Sequence, residues 1–138
     1  MLRSSADSHD CSASLQTGII GAALVGVRAV VTASGCVTLT GTGYAPEGDV
    51  RRDGGGKAID GALRFEMVRA LGAADRANNA ALLESGGRWT VQGDPTEGAL
   101  IVAARKAGLE GETLNTRFAR IAEVPFSSER KLMSTGSQ

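Results

Sequence analysis

The sequence predicts an α+β fold in which helices pack on an antiparallel β-sheet. Runs rich in β-branched residues come first, apolar residues then recur at helical spacing, and strand-like runs return near the end. The chain has 138 residues, which suits a single domain. Its 42% of hydrophobic residues is typical of a globular protein with a real core.

The first predicted element is a β-hairpin. In the stretch RAVVTASGCVTLTG, which starts at Arg28, β-branched residues flank the turn-forming Ala33-Ser34-Gly35. The glycine-rich stretch GTGYAPEGDVRRDGGGK follows, and it predicts a loop with a short strand around Tyr44.

Two longer helices are predicted in the centre of the chain. Apolar residues share one helical face within residues 59–74, where Gly72 offers a stop signal; they are Leu63, Met67, Val68 and Leu71. A second helix follows Asp94 and runs to Ala107, with basic residues in its last turn and Gly108 beyond it.

Shorter elements fill the remaining positions. Residues 80–84 fit either a helical continuation or a short strand, and this alternative stays open. The other predicted elements are a strand at 88–91, a turn of helix at 113–118, and strands at 121–124 and 132–134 around a loop at 125–130.

Composition and charge exclude several classes of partner. Lysine plus arginine and aspartate plus glutamate number 15 each, so we expect neither nucleic acid nor an anionic membrane surface as a partner. Cys11, Cys36 and the single His9 are too few for a structural zinc site of about four ligands, and no metal is expected. The apolar run at 18–27 is shorter than the roughly 20 residues that cross a bilayer, which predicts no direct membrane contact.

Two glycine-rich fragments only partly match phosphate-binding signatures. The fragment GGGK at 54–57 has Arg51 where a P-loop needs its first glycine, and Ala58 where it needs serine or threonine. The fragment GTG at 41–43 has Pro46 in the third glycine position of a dinucleotide-binding fingerprint. Both are interpreted as loop glycines, so no phosphate-cradling loop is predicted.

The stretch QGDPTEGAL, residues 92–100, has two interpretations. As a helix start, Asp94 is a good N-cap, Pro95 fits the first helical position, and Glu97 can reach back as in a capping box. As part of a binding site, the same carboxylates would repel phosphates but accept a hydrogen bond from the exocyclic amino group of adenine. A nucleotide bound here should therefore present its base to this helix.

The stretch VPFSSERKLMS, residues 124–134, also allows two interpretations. Phe126 in a polar loop suits stacking on a base, Arg130 and Lys131 supply positive charge for a polyphosphate, and Met133 supplies an apolar contact. Alternatively, Phe126 anchors the loop in the core and the charges are simply solvated.

Taken together, GDPTEGAL and PFSSERKLMS closely resemble the nucleotide-binding domain of P-type cation-transporting ATPases, in the calcium-pump-like, type II branch. The stretches VVTASG, TGTGYAPEGDV and ADRANNAALL follow the order of that domain. The resemblance covers residues from 28 to about 135. It implies a partial nucleotide-binding domain at 28–138, incomplete at its C-terminus, after an unmatched leader at 1–27 that we expect to be disordered because its start is polar and serine-rich.

The resemblance also implies a set of site residues and a ligand. By motif, the acidic first stretch and the phenylalanine of the second line an adenine pocket, with the lysine beside the nucleotide. The residues that match are Asp94, Thr96, Glu97, Phe126, Lys131 and, more weakly, Met133. The expected ligand is ATP, bound as Mg-ATP in the parent pump, and Ser128 stands where some relatives have an arginine.

Departures from the family pattern limit the expected activity. The phosphorylated aspartate of the family lies in a DKTGT motif, whereas Thr38 and Leu39 precede TGT here, and the later KGA motif of the pocket is absent. The parent would be an integral membrane hydrolase with this domain on its cytosolic side, partnered by its own phosphorylation and actuator domains. The chain alone is expected to be cytoplasmic and not to hydrolyse ATP. The alternative function is a degenerate remnant or interaction module without useful nucleotide affinity.

Overall fold

The structure is a computed structural model that describes residues 14–19, 25–55 and 58–138. In these residues eight strands and three helices confirm the predicted α+β class. In chain order they are β1 (Ser14–Ile19), β2 (Val25–Thr32), β3 (Gly35–Leu39), β4 (Val50–Arg52), α1 (Gly61–Arg76), β5 (Ala81–Ser85), β6 (Arg88–Gln92), α2 (Pro95–Lys106), α3 (Gly111–Arg117), β7 (Arg120–Ser127) and β8 (Leu132–Ser137).

The strands form three antiparallel sheets whose hydrogen-bonded neighbours follow each other along the chain. The first sheet has the order β1-β2-β3-β4, and β5-β6 and β7-β8 are separate pairs. Thr32 pairs with Gly35 across a two-residue turn, Ala33-Ser34, so the predicted hairpin is confirmed.

The core lies between the first sheet and the two longer helices. Helices α1 and α2 contact each other and both contact β2. Long apolar side chains of α1 fill the space over the sheet, whereas α2 contributes alanines, which let it approach closely. The most deeply buried members are Val30, Val37, Leu63, Met67, Leu71, Ala99, Ala103 and Ala104.

The first turns of α2 pack against β6 through a glycine. A Cβ at Gly98 would lie 2.5 Å from Val91 Cγ2 and 3.0 Å from Val91 Cβ. Such distances are too short for carbon atoms in contact, whose optimum is about 3.5–4.0 Å. Gly98 therefore fixes how close the start of α2 comes to β6.

Several predicted boundaries differ from the structure. Helix α1 does not stop at Gly72 but continues to Arg76, because the turn after Gly72 is held against α2 by the buried Asp75, whose carboxylate pairs with Arg105. The prediction of a strand around Tyr44 is wrong. The strand in this region is β4, which pairs with β3 in the register Leu39↔Val50. Residues 80–84 follow the strand alternative, as β5.

The predicted leader and the last predicted loop also differ. The sequence places Ser14–Ile19 in a leader that is predicted to be disordered. In the structure these residues are instead strand β1, which pairs with β2. Residues 1–13 and 20–24 lie outside the described residues, and the boundary at 27/28 stays a prediction. The loop expected at 125–130 is shorter, since β7 continues to Ser127. Within the described residues, no helix is both long and apolar enough to cross a bilayer.

A carboxylate on α1 holds the β2–β3 turn. Glu66 Oε2 accepts from the Ser34 N–H at 3.0 Å, and Glu66 Oε1 accepts from the Ser34 hydroxyl at 2.9 Å. The Thr32 hydroxyl, then the N–H and hydroxyl of Ser34, lower the pKa of Glu66 below its ordinary 4.5 by stabilising the ionised form.

We predict opposite effects for alanine at two helical glycines. Gly98→Ala should lower the free energy of unfolding by about 1–3 kcal/mol, because the new methyl group overpacks the contact with Val91. Gly72→Ala should raise it by about 0.5–1 kcal/mol, because alanine is the better helix former and its Cβ would meet only Leu114 Cδ2, at 3.9 Å. Urea unfolding measures both, and equal effects would contradict this account of α2 packing.

The Glu66 carboxylate should make stability depend on acid pH. Its folded-state pKa is depressed, so its contribution is present above the unfolded pKa, near 4.5, and is lost as pH falls through the folded pKa. Wild type should exceed Glu66→Gln in stability at pH 7, and the difference should shrink steadily below about pH 4.5. Urea unfolding across pH 3–7 tests this, and a difference independent of pH would refute it.

Candidate functional site

The start of α2 is built as the sequence predicts. Asp94 Oδ1 accepts from the N–H of Thr96 at 2.8 Å and from that of Glu97 at 3.1 Å, and Pro95 occupies the first helical position. This cap satisfies two backbone donors that a helix start otherwise leaves without partners. Asp94 and Thr96 are both exposed to solvent.

Glu97 does not complete the predicted capping box. Instead of reaching back to Asp94, its Oε2 accepts a hydrogen bond of 3.1 Å from the backbone N–H of Asn79. Among the described residues, none donates a hydrogen bond to Glu97 Oε1. Glu97 is half-buried, so this oxygen is an acceptor held in a defined position at the edge of the helix.

Asn79 connects the start of α2 to β7. Its Nδ2 donates to Glu123 Oε1 at 2.8 Å, and its Oδ1 accepts from Arg120 Nη1 at 2.8 Å. Arg120 and Glu123 also form an ion pair with a distance of 3.1 Å between Nη2 and Oε2. Asn79 thus bonds through its backbone to α2 and through its side chain to β7.

Sequence reasoning did not single out Asn79, which bonds to both Glu97 and Glu123. The available signal was the pair Asn78-Asn79 between α1 and β5, where a side-chain amide can both donate and accept. That signal points to a polar link but does not identify the partners, which lie 18 to 44 residues further along the chain.

Phe126 lies on β7 and is 61% exposed. The register with β8 shifts between Val124 and Ser127, where β7 carries one more residue than its partner. A bulge of this kind locally re-aims the strand. The exposure of Phe126 contradicts the alternative in which this ring anchors a loop in the core.

The turn between β7 and β8 presents Lys131 to solvent. Lys131 has a φ of 56° and donates its N–H to the Ser127 carbonyl at 2.7 Å, while its side chain belongs to an exposed residue. Arg130 donates from Nη2 to the Pro125 carbonyl at 2.9 Å, which braces the bulged segment. Met133 follows in β8 and is half-buried.

The six predicted site residues therefore form two groups. Asp94, Thr96 and Glu97 belong to the first turn of α2, and Phe126, Lys131 and Met133 belong to the β7–β8 hairpin. Among the described residues, no hydrogen bond or ion pair joins the two groups directly. Their connection runs from Glu97 through Asn79 to Glu123, three residues before Phe126.

A cleft of about 550 Å³ lies apart from these residues. Its lining includes Asp75, Arg76 and Arg105 but none of the six predicted site residues. The Asp75 side chain is only 1% exposed, with Arg76 Nη2 at 2.7 Å from Oδ2 and Arg105 Nη1 at 2.9 Å from Oδ1, the latter without hydrogen-bond alignment. We interpret this triad as a structural charge cluster that joins the C-terminal parts of α1 and α2, because the buried carboxylate is already paired with two guanidinium groups.

A protein-family model supports the resemblance carried by the two motifs. The model for the P-type ATPase cytoplasmic domain N matches residues 66–138. This region contains both motifs, Asn79, and every element from the second turn of α1 to the end of β8.

Curated relatives carry names from the same family. The chain is 40% identical over 125 residues to a probable cation-transporting ATPase F of Mycobacterium tuberculosis. The matched residues are 87% of this chain and 13% of the relative. It is 41% identical over 96 residues to a calcium-transporting ATPase type 2C member 1 of Bos taurus (70% of this chain, 9% of the relative). It is 33% identical over 96 residues to a calcium-transporting ATPase of Bacillus subtilis (70% and 11%). The chain therefore spans about one eighth or less of these relatives.

The backbone of Lys131 allows a test of the turn geometry. Lys131→Gly should raise the free energy of unfolding by up to about 1 kcal/mol, because glycine adopts a positive φ without the steric cost that a side chain incurs. Arg130→Gly is the matched control and should lower it, because it removes the bond to the Pro125 carbonyl. Urea unfolding of both variants decides; a loss of stability in Lys131→Gly would show that the turn does not have this geometry.

Proposed function

The chain belongs to the family of the P-type ATPase cytoplasmic domain N, and we propose that it binds ATP by its adenine base. The base would lie between the first turn of α2 and the β7–β8 hairpin. The main support is the connection from Glu97 through Asn79 to Glu123, because it links the acidic helix start to the strand that carries the exposed Phe126.

Glu97 and Phe126 have complementary roles in this proposal. Glu97 Oε1 would accept from the exocyclic amino group of adenine, since a carboxylate is an acceptor and that amino group is a donor. Phe126 would stack on the base, because an exposed aromatic ring regains apolar contact when a flat ligand covers it. Met133 would add an apolar contact beside the ring.

The charges set the orientation of the nucleotide. Asp94 and Glu97 would repel phosphates from the start of α2, although helix N-termini often bind them. Thr96 offers an exposed hydroxyl beside these carboxylates. Lys131 presents an ammonium group on the exposed turn, so we propose that the polyphosphate extends toward Lys131 and away from α2.

We further propose a role for this domain within a longer polypeptide. The relatives are named as cation- or calcium-transporting ATPases, so a parent protein would use this domain to position Mg-ATP for a phosphorylation domain, with an actuator domain in the same chain. Such positioning is a large part of phosphoryl-transfer catalysis. Because Thr38 and Leu39 stand before TGT, the 138 residues alone should not hydrolyse ATP. The domain at 28–138 would lie on the cytosolic side of the parent.

Titration of ATP against amide NMR shifts tests the proposed pocket. Shifts should concentrate at the start of α2 and in the β7–β8 hairpin. Phe126→Ala and Glu97→Gln should each weaken binding about tenfold, since base–aromatic stacking and a hydrogen bond to a charged group are each worth about 1–3 kcal/mol. Isothermal calorimetry or the shift titration gives the dissociation constants.

Phe65→Ala is a matched control for the stacking claim. Phe65 lies on α1 and is 62% exposed, nearly the same fraction as Phe126, so its removal should leave ATP affinity unchanged. Absence of shifts at millimolar ATP, or equal losses in Phe65→Ala and Phe126→Ala, would reject the pocket. That result would favour the alternative of an interaction module without useful nucleotide affinity.

A further inference from the structure

We propose that Asn79 is a positioning residue for base recognition, one that fixes the Glu97 carboxylate and sets its spacing from Phe126. The inference rests on the proposed function, because it assigns to Asn79 the alignment of the two walls of that pocket. Asn79 lies in the stretch ADRANNAALL, outside GDPTEGAL and PFSSERKLMS, and is not one of the six predicted site residues.

The first step is the restraint on Glu97. A glutamate side chain at a helix start can exchange between several staggered rotamers unless a partner holds it in one. The Asn79 N–H holds Oε2 at 3.1 Å, so the remaining oxygen, Oε1, keeps one direction. A positioned acceptor discriminates between ligands better than a free one, because a supporting hydrogen bond has already fixed its geometry.

The second step is the anchoring of Asn79 itself. Its side chain bonds to Glu123 and Arg120 on β7, and Arg120 Nη1 also lies 3.3 Å from the Asn78 carbonyl. Buried Asn78 ties the same segment to the end of α1 through a bond of 2.8 Å from its Nδ2 to the Ala74 carbonyl. The backbone donor that restrains Glu97 is therefore fixed from two sides.

The third step concerns the residues just before α2. A Cβ at Gly93 would lie 3.1 Å from the Ala80 Cα, and Gly93 has a φ of 110°. The chain entering α2 thus runs close to the residue that follows Asn79. Close packing and hydrogen bonds act together here, so a change in the Asn79 side chain should reach Glu97 without any direct contact between the two side chains.

Base preference reports the position of the Glu97 carboxylate. Adenine presents an amino donor where guanine presents a carbonyl acceptor, so Glu97 should favour ATP over GTP. Asn79→Ala should lower the ratio of ATP to GTP affinity about fivefold, the loss expected when one hydrogen bond is misaligned. Affinity for inorganic tripolyphosphate should not change, because that ligand has no base.

An exchange of donor and acceptor provides a rescue test. Asn79→Asp keeps the oxygen that accepts from Arg120 but loses the donor to Glu123, and it places two carboxylates together, so the ATP preference should fall. Adding Glu123→Gln restores a donor, now on β7, and returns the local charge to its original value. The double variant should regain the wild-type ATP to GTP ratio within about twofold, the scatter expected for a re-formed hydrogen bond.

The experiment measures ATP, GTP and tripolyphosphate affinities of the full 138-residue chain by NMR titration. Asn115→Ala is the control, because Asn115 also accepts a hydrogen bond from an arginine, Arg76, but lies on α3; its ratio should equal that of wild type. Amide spectra establish that each variant is folded, and the double variant keeps the test decisive if Asn79→Ala does not fold.

The outcomes separate the two proposals. If wild type binds no ATP, the proposed function fails and this inference fails with it. If wild type prefers ATP and Glu97→Gln loses that preference, while Asn79→Ala keeps it, only the inference about Asn79 is overturned. Failure of the double variant to recover the ratio would also overturn it, because a specific bond could then not be responsible.

Discussion

The small residues on the buried face of α2 determine how closely this helix packs on its neighbours. Gly98, Ala99, Ala103 and Ala104 let α2 lie close to β6, to α1 and to β2 at the same time. Larger side chains would move the helix outward, because protein interiors have no spare volume. Since Glu97 directly precedes Gly98, the packing that buries α2 also decides where its acidic first turn comes to the surface.

Different forces hold the two halves of the candidate site. The α2 half is attached to the apolar core, whereas the β7–β8 hairpin is joined to the segment after α1 by the bonds of Asn79, Arg120 and Glu123. Salt does not screen apolar packing, but charged hydrogen bonds near the surface weaken as ionic strength rises. The spacing between the two halves is thus set by the part of the structure that responds most readily to solvent conditions.

Local rules predicted the local parts of this structure. The Asp94 cap, the Ala33-Ser34 turn and the apolar face of α1 follow from neighbouring residues and were confirmed. The errors arise where distant partners decide. Residues Val50–Arg52 form a strand because they pair with the edge of β3. The Glu97 side chain accepts from the Asn79 N–H instead of from the Asp94 N–H of the predicted capping box. Resemblance to a family supplied six predicted site residues, whereas the bonds that run from one of them, Glu97, through Asn79 to Glu123 on β7 are visible only in the folded chain.

The order of the sheets has a consequence for the rate at which the chain folds. In the described residues every pair of neighbouring strands is also consecutive in sequence, so each ladder closes a short loop and loses little chain entropy. Proteins dominated by such local pairings fold faster than those that must bring distant strands together. The slow steps of folding should then be the docking of α1 and α2 on β2 and the formation of the hydrogen bonds between Asn79 and β7. Helix α2 and the β7–β8 hairpin would accordingly form before they come together as the candidate site.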